Sequence, residues 1–180
     1  MAVRVAACLL AAALLPSCSG GEEEIDASTY AARVCGALDD WVSTLRDASE
    51  DVESAVADAA QPADAKEPVV AFLERYAGAT NAVVEDVRAV GPPAVEDGER
   101  VHDELVEALE RAASRYEDEL ADARALPSDS SEEFQAAYGE LVASHSEVES
   151  ELRRSIDVID AEGELADAFD DEPSCADTGL

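Results

Sequence analysis

Four stretches of this chain carry apolar residues at alternating spacings of three and four, the period of a helix that buries one face. The first runs through Tyr30, Val34, Leu38, Trp41, Leu45, Ala48, Val52, Val56 and Ala59, and the second through Val69, Leu73, Tyr76, Thr80, Val83, Val87 and Val90. Val101, Leu105, Leu109, Ala112, Tyr116, Leu120 and Ala123 form the third, and Phe134, Tyr138, Leu141, His145, Val148, Leu152, Ile156 and Ile159 the fourth. No stretch alternates with period two for more than a few residues, and clusters of β-branched residues are scarce, so the spacing predicts an all-α fold.

The breaks fall where helix chemistry puts them. Gln61-Pro62-Ala63-Asp64 interrupts the first stripe, and Glu67-Pro68 is read as the opening of the second helix, since proline suits a first turn. Gly91-Pro92-Pro93 stops one helix and starts another. Gly98 is expected to weaken the first turns of helix three by about 1 kcal/mol relative to Ala. Leu126-Pro127-Ser128 closes that helix, and Ser130-Ser-Glu-Glu133 has the form of a capping box for the fourth. Gly163 ends the last stripe, with Leu165 and Phe169 able to add one turn before an irregular tail. Four helices of roughly 35–48 Å with short connections predict an antiparallel, up-down-up-down four-helix bundle.

Ahead of the helices, Arg4 is followed by an uncharged run from Val5 to Leu15 and then by Leu15-Pro16-Ser17-Cys18. The apolar run is shorter than the ~20 residues that span a bilayer as a helix, so it reads as an export signal. Its end resembles a bacterial lipoprotein cleavage box, with Pro16 as a departure. The resemblance implies that residues 1–17 are removed and that Cys18 carries the lipid, including a palmitate-type chain. Two or three acyl chains anchor a protein stably. Conventional cleavage, leaving Cys18 as a thiol, is the competing reading. Residues 18–26 are a short acidic tether, and 27–180 form the helical domain.

Cys8 leaves with the signal, so Cys35 and Cys175 remain as an even pair in an oxidising compartment and are expected to form a disulfide between helix one and the tail. Two separate thiols or half of a metal site would be the alternative, but no His or Cys stands near them at ligand spacing. In a bundle with an even number of helices, the start of helix one and the end of helix four share one end, which lets the pair meet.

Charge narrows the chemistry. With 43 Asp and Glu against 12 Lys and Arg, the net charge of -31 repels phosphate backbones, so no nucleic-acid partner is expected. A di-metal bundle needs two Glu-x-x-His motifs, and only Glu99-Arg-Val-His102 has that spacing, because Val142 stands where His145 would need a glutamate. Acid clusters such as Glu117-Asp118-Glu119 lack the loop glycine of a calcium site and read as solvated faces. No nucleophile motif or phosphate loop is present. No metal, cofactor or catalytic residue is therefore expected. His145 interrupts an apolar stripe, and Thr80 lies about as deep in the second helix. A polar layer of Thr80 and His145 would serve packing first and a small ligand second. Trp41, Tyr76, Tyr116 and Tyr138 occupy stripe positions, so packing explains them before stacking on a ligand does.

Tyr30-x-x-x-Val34-Cys35-x-Ala37-Leu38-x-x-Trp41, Gly91-Pro92-Pro93-x-Val95-x-Asp97-Gly98, Leu126-Pro127 and Leu165-Ala-x-Ala168-Phe169 with Cys175 together resemble actinobacterial small secreted proteins and lipoproteins of unknown function. The resemblance implies a disulfide-closed helical domain outside the cytoplasm and assigns no catalytic residue. The expected function is a non-enzymatic binding or structural module, held on the membrane through its lipid and facing another envelope protein or a cell-wall component. The alternative is a carrier or sensor of a small apolar ligand held between helices.

Overall fold

A computed structural model of the chain describes residues 25–157 and 162–177. The signal, Cys18 and most of the tether lie outside the described residues. The molecule is all-helical, with four long packed helices: α1 (Ala27–Asp58), α2 (Pro62–Val90), α3 (Gly98–Ala125) and α4 (Ser131–Asp157). Two short helices follow, α5 (Gly163–Asp171) and α6 (Pro173–Asp177). The stretch read as an irregular tail is therefore helical. Leu165 is buried and the Phe169 ring meets Tyr30 edge-on at 6.0 Å, so burial against α1 supplies what so short a helix lacks alone.

Side chains satisfy free N–H groups at the starts of α1 and α4. Asp26 caps α1 by accepting from the Thr29 N–H at 2.8 Å, and that bond holds its carboxyl below the usual range. Ser130 accepts from the Glu133 N–H, the capping expected for α4. The start of α2 differs from expectation. It begins at Pro62, six residues before Pro68, which sits inside the helix. Tertiary partners pull the extra turns into the helix: Ala65 is buried, and the Lys66 ammonium donates to the Leu126 carbonyl at 2.7 Å. Those gains outweigh the one backbone hydrogen bond that Pro68 forfeits.

Neighbours in sequence lie against each other, α1 with α2, α2 with α3 and α3 with α4, while α5 and α6 cover α1. Between α1 and α2, Trp41 meets Thr80, Ser49 meets Tyr76 and Asp51 meets Arg75. Between α2 and α3, Arg88 meets Glu110, Asn81 meets Glu117 and Arg124 meets Glu74. Cys35 and Cys175 are joined by a disulfide, with Cα atoms 5.0 Å apart. Ile25 pairs with the α2–α3 connection through an Ala94 N–H bond of 2.8 Å, at the same end as the disulfide.

The interior divides into two apolar clusters. One, centred on Tyr30, Val34, Leu38, Val87, Leu109 and Tyr116, fills the disulfide end. The other, built from Ala65, Val69, Leu73, Ala123, Phe134 and Leu141, fills the opposite end. Ser49, Tyr76, Glu119 and His145 fall at the boundary in their respective helices, because residues just before and after each belong to different clusters.

Gly98 is more constrained than its helix propensity suggests. A Cβ there would lie 2.2 Å from the Pro93 carbonyl oxygen, and its N–H already bonds Val95. The obstacle is backbone, so it cannot rotate away. Gly98→Ala should therefore destabilise by about 1–3 kcal/mol, as overpacking does, instead of gaining the ~1 kcal/mol that Ala brings to a helix. Urea unfolding of the two proteins measures this, and a variant equal to or more stable than the parent would refute the clash.

Candidate functional site

The boundary layer is where polar groups enter the core. The Tyr76 hydroxyl rises between α1 and α4, donating to Glu149 Oε1 at 3.3 Å and bonding Ser49 Oγ at 3.2 Å. Burial pushes this hydroxyl up to about 12, so it stays a neutral donor, and Tyr116 is pushed up for the same reason. One turn along α2, Thr80 is fully buried, donates to the Tyr76 carbonyl at 2.8 Å and accepts from Trp41 Nε1 at 3.1 Å. This answers both polar atoms that the site buries there.

His145 packs inside an aromatic cage. Its ring centroid lies 4.8 Å from Tyr76, 5.3 Å from Phe72 and 5.4 Å from Tyr116. Nδ1 stands 2.8 Å from Glu119 Oε2, and Nε2 stands 3.6 Å from Glu149 Oε1. Ser144 donates to the other Glu119 oxygen at 2.9 Å. Glu119 is only 2% exposed, so both oxygens exchange water for these partners. Thr80 and His145 do not bond directly: Tyr76 stands between them, taking Thr80 on its carbonyl and His145 on its ring.

Glu119 is the residue that the sequence reading placed wrongly, as part of a solvated acid cluster. The correct signal was present. Continuing the alternation 105, 109, 112, 116 by three reaches position 119, and by four reaches 123, whereas Leu120 is only half-buried. A glutamate at a stripe position in one helix and a histidine at a stripe position in the next are partners in waiting. Such a pair stabilises more as a hydrogen-bonded unit than either group could alone.

His102 is separate from this layer. It is buried at the disulfide end beside the Tyr30 hydroxyl, 3.2 Å from Nδ1, and desolvation holds its pKa below the ordinary histidine value. Glu99 is exposed, so the Glu99-x-x-His102 pair does not converge. Among the described residues no group of three or more His, Cys, Asp or Glu side chains is placed to hold a metal ion.

The layer opens to solvent along one seam. α1 and α4 stand apart along most of their length, and the space between them forms two clefts on either side of the Tyr76 bridge. One, of about 240 Å³, is lined by Trp41, Val42, Leu45, Leu152 and Ile156 with Arg46 and Arg153. The other, of about 220 Å³, is lined by Val52, Phe72, Leu73, Tyr138, Leu141 and His145 with Glu53, and Val142, 46% exposed, stands on its rim. Glu149 borders both. Both clefts set apolar and aromatic side chains beside charged and hydroxyl groups, Arg46, Arg153 and Glu149 in one and Ser49, Glu53, Ser146 and Glu149 in the other. Trp41 and Tyr138, expected to be explained by packing, also line these clefts. No helix of the described residues is long and apolar enough to cross a membrane. No family model matches the chain, and no curated protein and no solved structure is significantly similar to it, so the site is read from its own residues.

Proposed function

We propose that the chain is a non-enzymatic, extracytoplasmic binding lipoprotein, anchored at Cys18 after loss of residues 1–17, which holds an elongated apolar ligand in the cleft between α1 and α4. The observation that carries this is the open α1/α4 seam, because a bundle built only as a spacer gains by closing it. Burying apolar surface contributes about 25 cal/mol per Å², so half-buried lining residues such as Val42, Val52, Phe72 and Ile156 forgo stabilisation while the seam is open. The helices alternate direction as an up-down-up-down bundle. Supporting this, partner numbers rise along α1 from 41 through 49 to 51 as they fall along α2 from 80 through 76 to 75. The disulfide end, which follows the tether through Ile25, then faces the membrane. The two cysteines in a disulfide fit an oxidising compartment.

Recovering the full chain from membranes and extracting it with organic solvent tests both halves of this reading. An apolar compound is expected at near-equimolar amount from the parent protein. It should be absent from Val42→Trp/Ser49→Trp, which fills both halves of the seam from half-buried positions on α1. Cys18→Ser is expected to move the protein from the membrane to the soluble fraction. A parent protein that yields no apolar compound and retains none when loaded contradicts the cleft; a Cys18→Ser protein that stays in the membrane contradicts the anchor.

A further inference from the structure

Resting on the cleft as the ligand site, we infer that its ligand is a single-chain carboxylate amphiphile of the free fatty-acid class, with its head group held by Arg46 and Arg153 and its tail over Trp41, Leu45, Leu152 and Ile156. The basic residues of the chain are few, 12 in all, and five of them have carboxylate partners: Arg75 with Asp51, Arg88 with Glu110, Arg100 with Glu104, Arg111 with Glu107 and Arg124 with Glu74. Arg46 and Arg153 have none among the described residues, yet they line the same half of the cleft from opposite walls. On a chain of net charge -31, two cations left unpaired over one apolar groove make a local site for an anion. The guanidinium fork matches a carboxylate with two parallel hydrogen bonds, and the flanking apolar wall lowers the dielectric around them. Glu149, the one carboxylate lining that half, accepts from the Tyr76 hydroxyl at 3.3 Å and stands 3.6 Å from His145 Nε2. The other half has the opposite character, with Glu53 and Glu149 on its walls, so an anionic head group is drawn to the Arg46 side and away from the His145 side. Size selects the number of chains. At about 240 Å³ this half is below the usual ~300–1,000 Å³ of drug-sized sites, so it covers one acyl chain better than the two chains of a lipid.

Trp41 is the only tryptophan of the chain and lines this half, so its fluorescence reports occupancy directly. The full chain would be titrated, below their micellar concentrations, with dodecanoate, dodecanol and dodecyltrimethylammonium. Dodecanoate is expected to saturate the signal with an affinity at least about tenfold above that of dodecanol, the scale of one lost charge-assisted contact. Arg46→Gln/Arg153→Gln should remove that preference while leaving dodecanol unchanged, and Arg46→Lys/Arg153→Lys should fall between. Both arginines are exposed, so unchanged circular dichroism is expected for each variant. Equal binding of dodecanoate and dodecanol, with no effect of the glutamine pair, overturns the head-group assignment and leaves the cleft standing. Tightest binding of the ammonium amphiphile, or preference for phosphatidylglycerol vesicles over free dodecanoate, also overturns it. Silence of Trp41 toward all the amphiphiles removes the cleft reading itself.

Discussion

Cys35→Ser/Cys175→Ser should lower the stability of the domain by about 5 kcal/mol, because the bond closes a loop of 140 residues and its removal frees that loop in the unfolded chain. For a domain of this size about 2–4 °C of melting temperature goes with each kcal/mol, so a fall of about 10–20 °C is expected. Against a total of about 5–15 kcal/mol this is a large fraction, and the reduced protein should be marginal at growth temperatures. Dithiothreitol on the parent should reproduce the variant. Folded-state packing is what remains to hold the tail: α5 keeps Leu165 and the Phe169 contact with Tyr30, whereas five-residue α6 has no buried residue of its own. Hydrogen exchange should accordingly rise first in α6 and the first turns of α1. Thermal unfolding followed at 222 nm decides the matter. A variant melting within about 2 °C of the parent would show that packing of α5 on α1, and not the crosslink, closes the domain.

That disulfide was legible because cysteine counting needs only identity and compartment, while geometry between distant helices is left to the fold. The four long helices were legible for a similar reason: a period of 3.6 is a local property, and Val34, Leu38, Leu109 and Phe134 satisfy it without reference to any other helix. What eluded the sequence depends on partners far away in the chain. Pro68 looked like a helix start because nothing local reveals that Lys66 will find the Leu126 carbonyl. Gly98 looked like a weak helical residue because its value lies in the 2.2 Å approach that a side chain would make to Pro93. A ligand between helices was foreseen as an alternative, but the place of the cleft was not legible. Stripe residues announce that they are apolar, and whether α1 and α4 close over them is decided by how α4 settles on α3.

Glu119→Ala should cost about 3–5 kcal/mol, the loss expected when one member of a buried, hydrogen-bonded pair is removed and the other is left in a low-dielectric site. His145 Nδ1 and Ser144 Oγ would each lose the acceptor they have at 2.8 and 2.9 Å, and the His145 ring is held among Phe72, Tyr76 and Tyr116. Glu119→Gln keeps the shape and one acceptor and should cost less. The decisive comparison is the double variant Glu119→Leu/His145→Leu. Replacing both partners by apolar groups of similar volume removes the desolvation of the pair, so the double variant should be less destabilised than the sum of its single variants by about 1–3 kcal/mol. If the pair serves only the core, the double variant should also retain binding in the cleft. If it shapes the site, stability returns and ligand affinity does not, because an aliphatic side chain in place of the imidazole can no longer meet Glu149 beside the Tyr76 bridge. Additive stability losses in urea unfolding would deny any coupling between Glu119 and His145, and the polar layer would then be two independent residues and not a unit.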